Sequence, residues 1–372
     1  MAQAANAKEV PFLVLTGGPC AGKSTAKTFL LEKLGDAGFY PMFRPELPTL
    51  LMDSGITPLG DMFPPGQFQR SVVRTTLALD NEMRRMASLT RHPKPVIITD
   101  RGLFDVLPYC ESKNQFEKLL SEVGIGFLRA RDEYATAVYH LRTAALGAEE
   151  YYTLANNRAR YESAEQARER DQATWEAWNG TEHFRTIPNR GTFEDKLKHL
   201  LAEICSTLGI PEPVETEHKF LVDPRIPLKK LGPYQEVDIE QFYLVSNNPD
   251  EELRFRKRSQ HDDSVYFRTV KRPTPDKASR YETQSFITAR EYEFGKQFMQ
   301  PNSRCIRKKR ICFAYEDQHF ELDRFLEPKL PYAMLELELI RPGAEFTLPP
   351  FLAIEREVTG NKAYSNRALA NL

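Results

Sequence analysis

Short apolar runs closed by polar or glycine-rich segments alternate with amphipathic stretches over the first two hundred residues. Residues 11–15 read as a strand that leads into a helical stretch at 24–34. Residues 39–43 read as a second strand, ending at Arg44-Pro45-Glu46. A third, 95–99, is nearly all apolar and stops on Asp100. Continuous apolar strands separated by helices predict a parallel sheet covered on both faces, an α/β fold. Residues 134–178 are helical in composition, 183–189 give a last strand, and 193–208 a closing helix. Pro211 and Pro213 mark a linker, which predicts a first domain over 9–210, a linker at 211–213 and a second domain over 214–372.

Beyond the linker the period changes to two. Glu215, Glu217 and Lys219 fall on one face of a strand. Further i, i+2 pairs follow: Arg254 and Arg256, Thr269 and Lys271, Arg280 and Glu282, Lys308 and Arg310, Glu321 and Asp323, Glu336 and Glu338. With these faces turned inward, the domain is a closed antiparallel barrel with a polar lumen in which bases meet phosphates and acids hold a divalent cation. With them turned outward, it is an ordinary β domain with a solvated surface. A period of two does not separate the alternatives.

The chain has 372 residues, of which 41% are hydrophobic and 28% charged, a globular composition with room for two or three domains. The net charge of -1 gives no global attraction for nucleic acid, so any anion site must be a local concentration of Lys and Arg. Five cysteines without C-x-x-C spacing suggest neither a zinc cluster nor a disulfide framework. They fit a reducing compartment, and a cytoplasmic location is expected. No signal-peptide pattern or apolar run of membrane-spanning length is present, although peripheral membrane contact stays open.

The most specific chemistry lies after the first strand. Gly17, Gly18, Pro19, Cys20, Ala21, Gly22, Lys23 and Ser24 spell G-x-x-x-x-G-K-S, followed by Thr25. In this strand-to-helix context the loop's N–H groups wrap a phosphate chain, Lys23 neutralises the outer phosphates, and Ser24 offers a hydroxyl to Mg²⁺. Asp100, at a strand end, is the expected carboxylate for Mg²⁺, and the adjacent Arg101 either braces a phosphate or pairs with an acid. Glu46 is a general base or substrate ligand on one reading and a helix-start carboxylate on the other. Arg158, Arg160, Arg168 and Arg170 belong either to a lid that brings arginines onto transferring phosphates or to a solvated, ion-paired helix. For Arg168 and Arg170, with Glu162, Glu165 and Glu169 nearby, the second applies. Asn189 ends the last strand where a nucleotide base could sit. No N-K-x-D run selects guanine, so GTP and ATP are equally admissible.

Glu215-Thr216-Glu217-His218-Lys219 is E-x-E-x-K. Together with Arg254-Phe255-Arg256, residues 266–271, Arg280-Tyr281-Glu282 and Leu335-Glu336-Leu337-Glu338, it resembles the CYTH or triphosphate tunnel metalloenzyme superfamily. The resemblance implies Glu215, Glu217, Glu336 and Glu338 as ligands for Mg²⁺ or Mn²⁺. It also implies Lys219, Arg254, Arg256, Lys271, Arg280, Lys308 and Arg310 as phosphate ligands. Gln284 stands where many members carry an acid. The first domain, through residues 16–24, Asp100-Arg101-Gly102 and residues 156–162, resembles the kinase-like AAA domain of ribosylnicotinamide kinases. The two-domain architecture is similar to that of the insect photoreceptor proteins that bind GTP and phosphoinositides and support TRP-channel trafficking. This implies a nucleotide-dependent binder whose second domain takes an anionic phosphate ligand such as a phosphoinositide head group. Alternatives are a small-molecule kinase with Glu46 or Asp100 as base, or a metal-dependent triphosphatase.

Overall fold

A computed structural model describes residues 10–58, 61–149, 163–210, 216–248, 250–260, 263–273, 280–316, 318–339 and 345–372. The chain divides into two compact units, Met1–Leu201 and Ala202–Leu372.

The first unit is built on β1 (Phe12–Thr16), α1 (Lys23–Asp36), β2 (Tyr40–Arg44), α2 (Leu47–Asp53), α3 (Gln67–Leu89), β3 (Pro95–Asp100), α4 (Lys113–Glu122), β4 (Ala137–Leu141), α5 (Ala164–Trp178), β5 (Phe184–Ile187) and α6 (Phe193–Thr207). The strands form one parallel sheet in the order β2-β3-β1-β4-β5. Every residue of β1 and β4 is buried, as expected for central strands covered on both faces.

β4 corrects the helical reading of 134–178. Ala137-Val138-Tyr139-His140-Leu141 is a five-residue apolar run whose period says nothing about strand or helix, and pairing with β1 and β5 decides it. Only α5 of that stretch is an α-helix among the described residues, although Arg129–Glu133 just before it forms a π-turn. The 23-residue α3 was also not expected. It buries Val72, Val73, Thr76 and Asp80 on one face, where Asp80 pairs with buried Arg44 at 2.6 Å.

The second unit contains β6 (Thr216–Val222), β7 (Tyr234–Leu244), β8 (Glu252–Gln260), β9 (Asp263–Pro273), β10 (Arg280–Phe286), α7 (Ala289–Gly295), β11 (Ile306–Tyr315), β12 (Gln318–Glu327), β13 (Ala333–Leu339), β14 (Ile354–Glu357) and α8 (Asn366–Leu369). Its nine strands run antiparallel in the order β10-β9-β8-β7-β11-β12-β13-β6-β14. Among the described residues no ladder joins β10 to β14.

Both faces of this sheet are covered. On one, Phe220, Ile311, Phe313, Phe320, Leu322, Leu335 and Leu337 pack with Leu231 and Leu352 into an apolar core. On the other, many buried positions are charged, beside a smaller apolar group that includes Leu221, Tyr243, Ile306, Phe325 and Met334. In β8, Glu252, Arg254, Arg256 and Arg258 are buried while Leu253, Phe255 and Lys257 are only half-buried. This inverted alternation answers the question that period two left open: the charged faces point inward. No helix among the described residues is long and apolar enough to cross a membrane.

Candidate functional site

The loop between β1 and α1 emerges at the carboxyl edge of the parallel sheet, as do Arg44-Pro45-Glu46 after β2 and Asp100 at the end of β3. Gly17 has φ +132°, and a Cβ there would stand 2.1 Å from the Leu141 carbonyl oxygen of β4. Only glycine lets the loop lie this close to the neighbouring strand. Lys23 Nζ donates to the carbonyls of Gly17 (2.9 Å) and Gly18 (3.1 Å). Burial first, and then Arg101, lower its pKa.

Residues Pro19–Thr25 floor a cavity of about 540 Å³. Ser24, Glu46, Asp100 and Arg101 line it beside them. On one flank it continues between Leu47, Met52, Phe68 and Val72, and on the other it reaches Asn189, Thr192 and Phe193. Gly17 and Gly18 do not line it; the Gly18 N–H donates instead to Asp171 Oδ1 at 2.9 Å.

The acids and bases around the loop divide their work. Glu46 accepts from Arg101 Nε (2.5 Å) and Thr49 Oγ1 (2.8 Å). Burial pushes its pKa up, but Arg101 and then Lys23 outweigh burial and hold the carboxyl down at about 2. This ion pair anchors Arg101, which has φ +67°. Asp105 completes the anchor, accepting from Thr16 Oγ1 (2.5 Å), the Gly102 N–H (2.8 Å), Trp178 Nε1 (3.0 Å) and Arg101 Nη1 (3.3 Å). Asp100 behaves differently. Burial raises its pKa, and its Oδ1 has no hydrogen-bond partner among the described residues. An orphaned buried carboxylate oxygen beside Ser24 in a phosphate cavity fits an oxygen-liganded Mg²⁺.

Several residues of this site were not visible in the sequence. Asp171 of α5 accepts from the N–H groups of Gly18 and Thr143 (3.0 Å), lies 3.2 Å from His140 Nε2 and pairs with Arg142 at 3.0 Å. Despite burial, His140 and then Arg142 hold its carboxyl below the ordinary range. Lys196 of α6 donates to the carbonyls of Ala21 (3.0 Å) and Arg142 (2.6 Å) and to Asn189 Oδ1 (2.7 Å), and burial lowers its pKa to about 7. No local motif signals either residue, since each meets the loop from about 150 residues away or more.

Asn189 lines the cavity, but its amide is spent on the protein: Nδ2 donates to the carbonyls of Thr143 and Leu146, both at 2.7 Å. Its side chain ties loops together rather than offering donors to a base. Among the described residues Arg168 and Arg170 form no ion pair; they donate to the carbonyls of Ala145 (3.1 Å) and Pro108 (2.5 Å). Arg158 and Arg160 lie outside the described residues.

In the second unit, Lys219 joins two carboxylates, Glu336 Oε1 at 2.8 Å and Glu217 Oε2 at 3.0 Å. Burial alone would lower the Lys219 pKa, but Glu217 and Glu336 raise it above its ordinary value. Arg310 donates to both oxygens of Asp323 (2.8 and 2.7 Å), to Glu336 Oε2 (2.7 Å) and to Glu321. Lys308 meets Asp323 at 2.5 Å. Arg256 donates to Gln284 Oε1 (2.6 Å), which also accepts from Thr269 Oγ1 (3.2 Å), while Arg254 reaches Thr269 at 3.3 Å. Gln284 thus offers Arg256 and Thr269 an uncharged acceptor.

The AAA domain family matches residues 12–196. The inorganic triphosphatase of Nitrosomonas europaea is 32% identical over 159 residues, 42% of this chain and 96% of its own length. The chain belongs to the CYTH or triphosphate tunnel family. A crystal structure of an inorganic triphosphatase is 30% identical and covers 42% of this chain and 95% of that one, with a TM-score of 0.31. The thymidylate kinase of Candida albicans is 16% identical over 54% of this chain and 92% of its own, with a TM-score of 0.40.

For this CYTH family member, Glu217, Lys219, Lys308, Arg310 and Glu336 converge in one network, and Arg254 and Arg256 lie on the same buried face of the sheet. Lys271 stands on that face opposite Glu252 and Glu282. Glu338 is opposite Glu217 in the ladder and Arg280 begins β10, but their side chains, like the whole of Glu215, lie outside the described residues. Glu217 and Glu336 supply only oxygen donors, which fits Mg²⁺ or Mn²⁺ in the presence of a phosphate chain. Glu321 and Asp323, noticed as a polar pair but given no role by the family motif, prove to be the principal partners of Arg310.

Proposed function

We propose that the chain binds phosphate chains at two sites: a magnesium–nucleoside triphosphate, GTP or ATP, in the first unit, and an anionic phosphate ligand with a divalent cation in the second. The ligand class of the second unit is a linear triphosphate or a clustered-phosphate head group such as that of a phosphoinositide. The carrying observation is the inverted burial of β8, which spends the interior of a sheet on Arg254, Arg256 and Arg258. Isothermal titration of the full chain with tripolyphosphate and with inositol trisphosphate tests it. Wild type should bind one of the two in the presence of Mg²⁺, and Arg254→Ala with Arg256→Ala should lose at least about tenfold in affinity. Failure of both ligands to bind, or unchanged binding by the double variant, overturns the reading.

Two catalytic readings have support of their own. Hydrolysis in the second unit is favoured by the meeting of Glu217 and Glu336 over Lys219 and by the name of the triphosphatase relative, although Gln284 removes one acid. Metal-dependent phosphate release from tripolyphosphate, lost in Glu217→Gln with Glu336→Gln, identifies it. Phosphoryl transfer in the first unit is favoured by the apolar extension of the cavity past Asp100 toward Met52, Phe68 and Val72, where a hydroxyl-bearing acceptor would fit. ATP consumption accelerated by a nucleoside acceptor, with a phosphorylated product, identifies that activity.

A further inference from the structure

Cys312 on β11 stands opposite Glu321 on β12 in the antiparallel register. His319, two residues before Glu321, therefore projects from the same face of β12. Their ligand atoms, one sulfur, one imidazole nitrogen and one carboxylate oxygen, all lie within 4.8 Å of one another. Cys312 is buried and the other two are half-buried.

From this arrangement we propose that Cys312, His319 and Glu321 form a binding site for a thiophilic divalent cation of the zinc class, distinct from the all-oxygen set of Glu217 and Glu336. Ligands held 2.0 to 2.3 Å from a tetrahedral zinc ion stand roughly 3.3 to 3.7 Å apart, so the three side chains need to close by only about 1 Å. The donor set decides the metal: sulfur and imidazole select Zn²⁺ over Mg²⁺ or Ca²⁺, which take oxygen. The thiol releases its proton on binding, and thiolate plus carboxylate then balance the ion's charge. Glu321 already accepts a hydrogen bond from Arg310, which orients its carboxylate. The cation would share this carboxylate with Arg310, which also reaches Glu336, so the site is joined to the basic network through Glu321. Three protein ligands leave a fourth position for water or a phosphate oxygen. The spacing C-x6-H-x-E resembles no zinc motif in the sequence; the β11–β12 hairpin brings it together. The inference stands on this geometry and does not depend on the function proposed above.

Cobalt substitution in the full chain tests it. After removal of metal with a chelator, one equivalent of Co²⁺ should give thiolate-to-cobalt charge-transfer absorption and the visible bands of a four-coordinate ion. Zn²⁺ should abolish both, and excess Mg²⁺ should leave them. Cys312→Ser, with the other four cysteines intact, should lose the charge-transfer band and bind Zn²⁺ about a hundredfold or more weakly, since even outer-shell changes cost ten- to a hundredfold. Circular dichroism verifies the fold of the variant. Should Cys312→Ser not fold, His319→Gln, half-buried and closer to the strand end, takes its place, with altered visible bands and weakened Zn²⁺ expected. Wild type without charge-transfer absorption, or a spectrum unchanged in the variant that folds, overturns the site.

Discussion

Lys23 rests its ammonium on two carbonyls of its own loop, partners that carry only partial charge. A triphosphate offers full charges in their place, and Lys23→Ala is expected to cost about 1.5 to 3 kcal/mol of nucleotide binding, roughly ten- to a hundredfold, while the fold persists. Titration calorimetry with Mg²⁺ present reads this directly. Glu46 makes a prediction in pH. Its carboxyl titrates near the ordinary 4.5 in the unfolded chain and at about 2 in the folded one. The stability it contributes is therefore complete above about pH 4.5 and lost as the pH falls through about 2, a total of about 3 kcal/mol. In urea unfolding, Glu46→Gln should be less stable than wild type at pH 5, with the difference shrinking steadily toward pH 2. A constant difference would mean that the Arg101–Glu46 pair does not hold the carboxyl down.

At the scale of elements, the phosphate loop depends on a strand nearly 125 residues further along. β4 runs beside β1, and the Leu141 carbonyl at its end leaves no space for a Cβ on Gly17. Gly17→Ala thus meets both a left-handed backbone requirement and a backbone clash that no rotamer relieves. A loss of about 3 kcal/mol or more is expected in denaturant unfolding, whereas Gly35→Ala inside α1, where nothing lies within 4 Å, should be neutral or gain up to about 1 kcal/mol. Asp171 extends the dependence to α5, because it holds the Gly18 N–H from below and so fixes which donors of the loop face the cavity. In the second unit the telling element is β8, whose apolar residues pack with Phe242, Leu244 and Tyr292 while its guanidiniums occupy the buried side.

On the scale of the whole molecule, two units with separate cores carry two sites of different construction, one made of backbone donors and a single lysine, the other of strand-borne side chains. A ligand stabilises what it binds by mass action, about 2.7 kcal/mol at a hundredfold excess over Kd. Hydrogen exchange followed by mass spectrometry should accordingly show ATP or GTP with Mg²⁺ protecting peptides around residues 12–25 and 95–105. Tripolyphosphate with Mg²⁺ should protect β6, β8, β11 and β13. In Lys23→Ala the first pattern should vanish and the second remain. Protection confined to one unit with both ligands would refute the two-site reading.

The sequence by itself determined the features that depend on local chemistry. The eight-residue loop and the strand and helix around it, the positions of Glu46 and Asp100 at strand ends, the α/β class and the change to period two were all legible, because each is written in consecutive residues or fixed spacing. The tertiary structure decided whatever depends on which surfaces meet. β4 was indistinguishable from helix until β1 and β5 flanked it. Asp171 and Lys196 carry no motif, and only packing brings them beneath the loop. Period two marked the charged residues of β6, β8, β11 and β13 as sharing faces without saying which face was inside. Burial of Arg254, Arg256 and Arg258, with Leu253 and Phe255 turned toward the other side, settled it, since a strand's two faces are equivalent until something covers one of them.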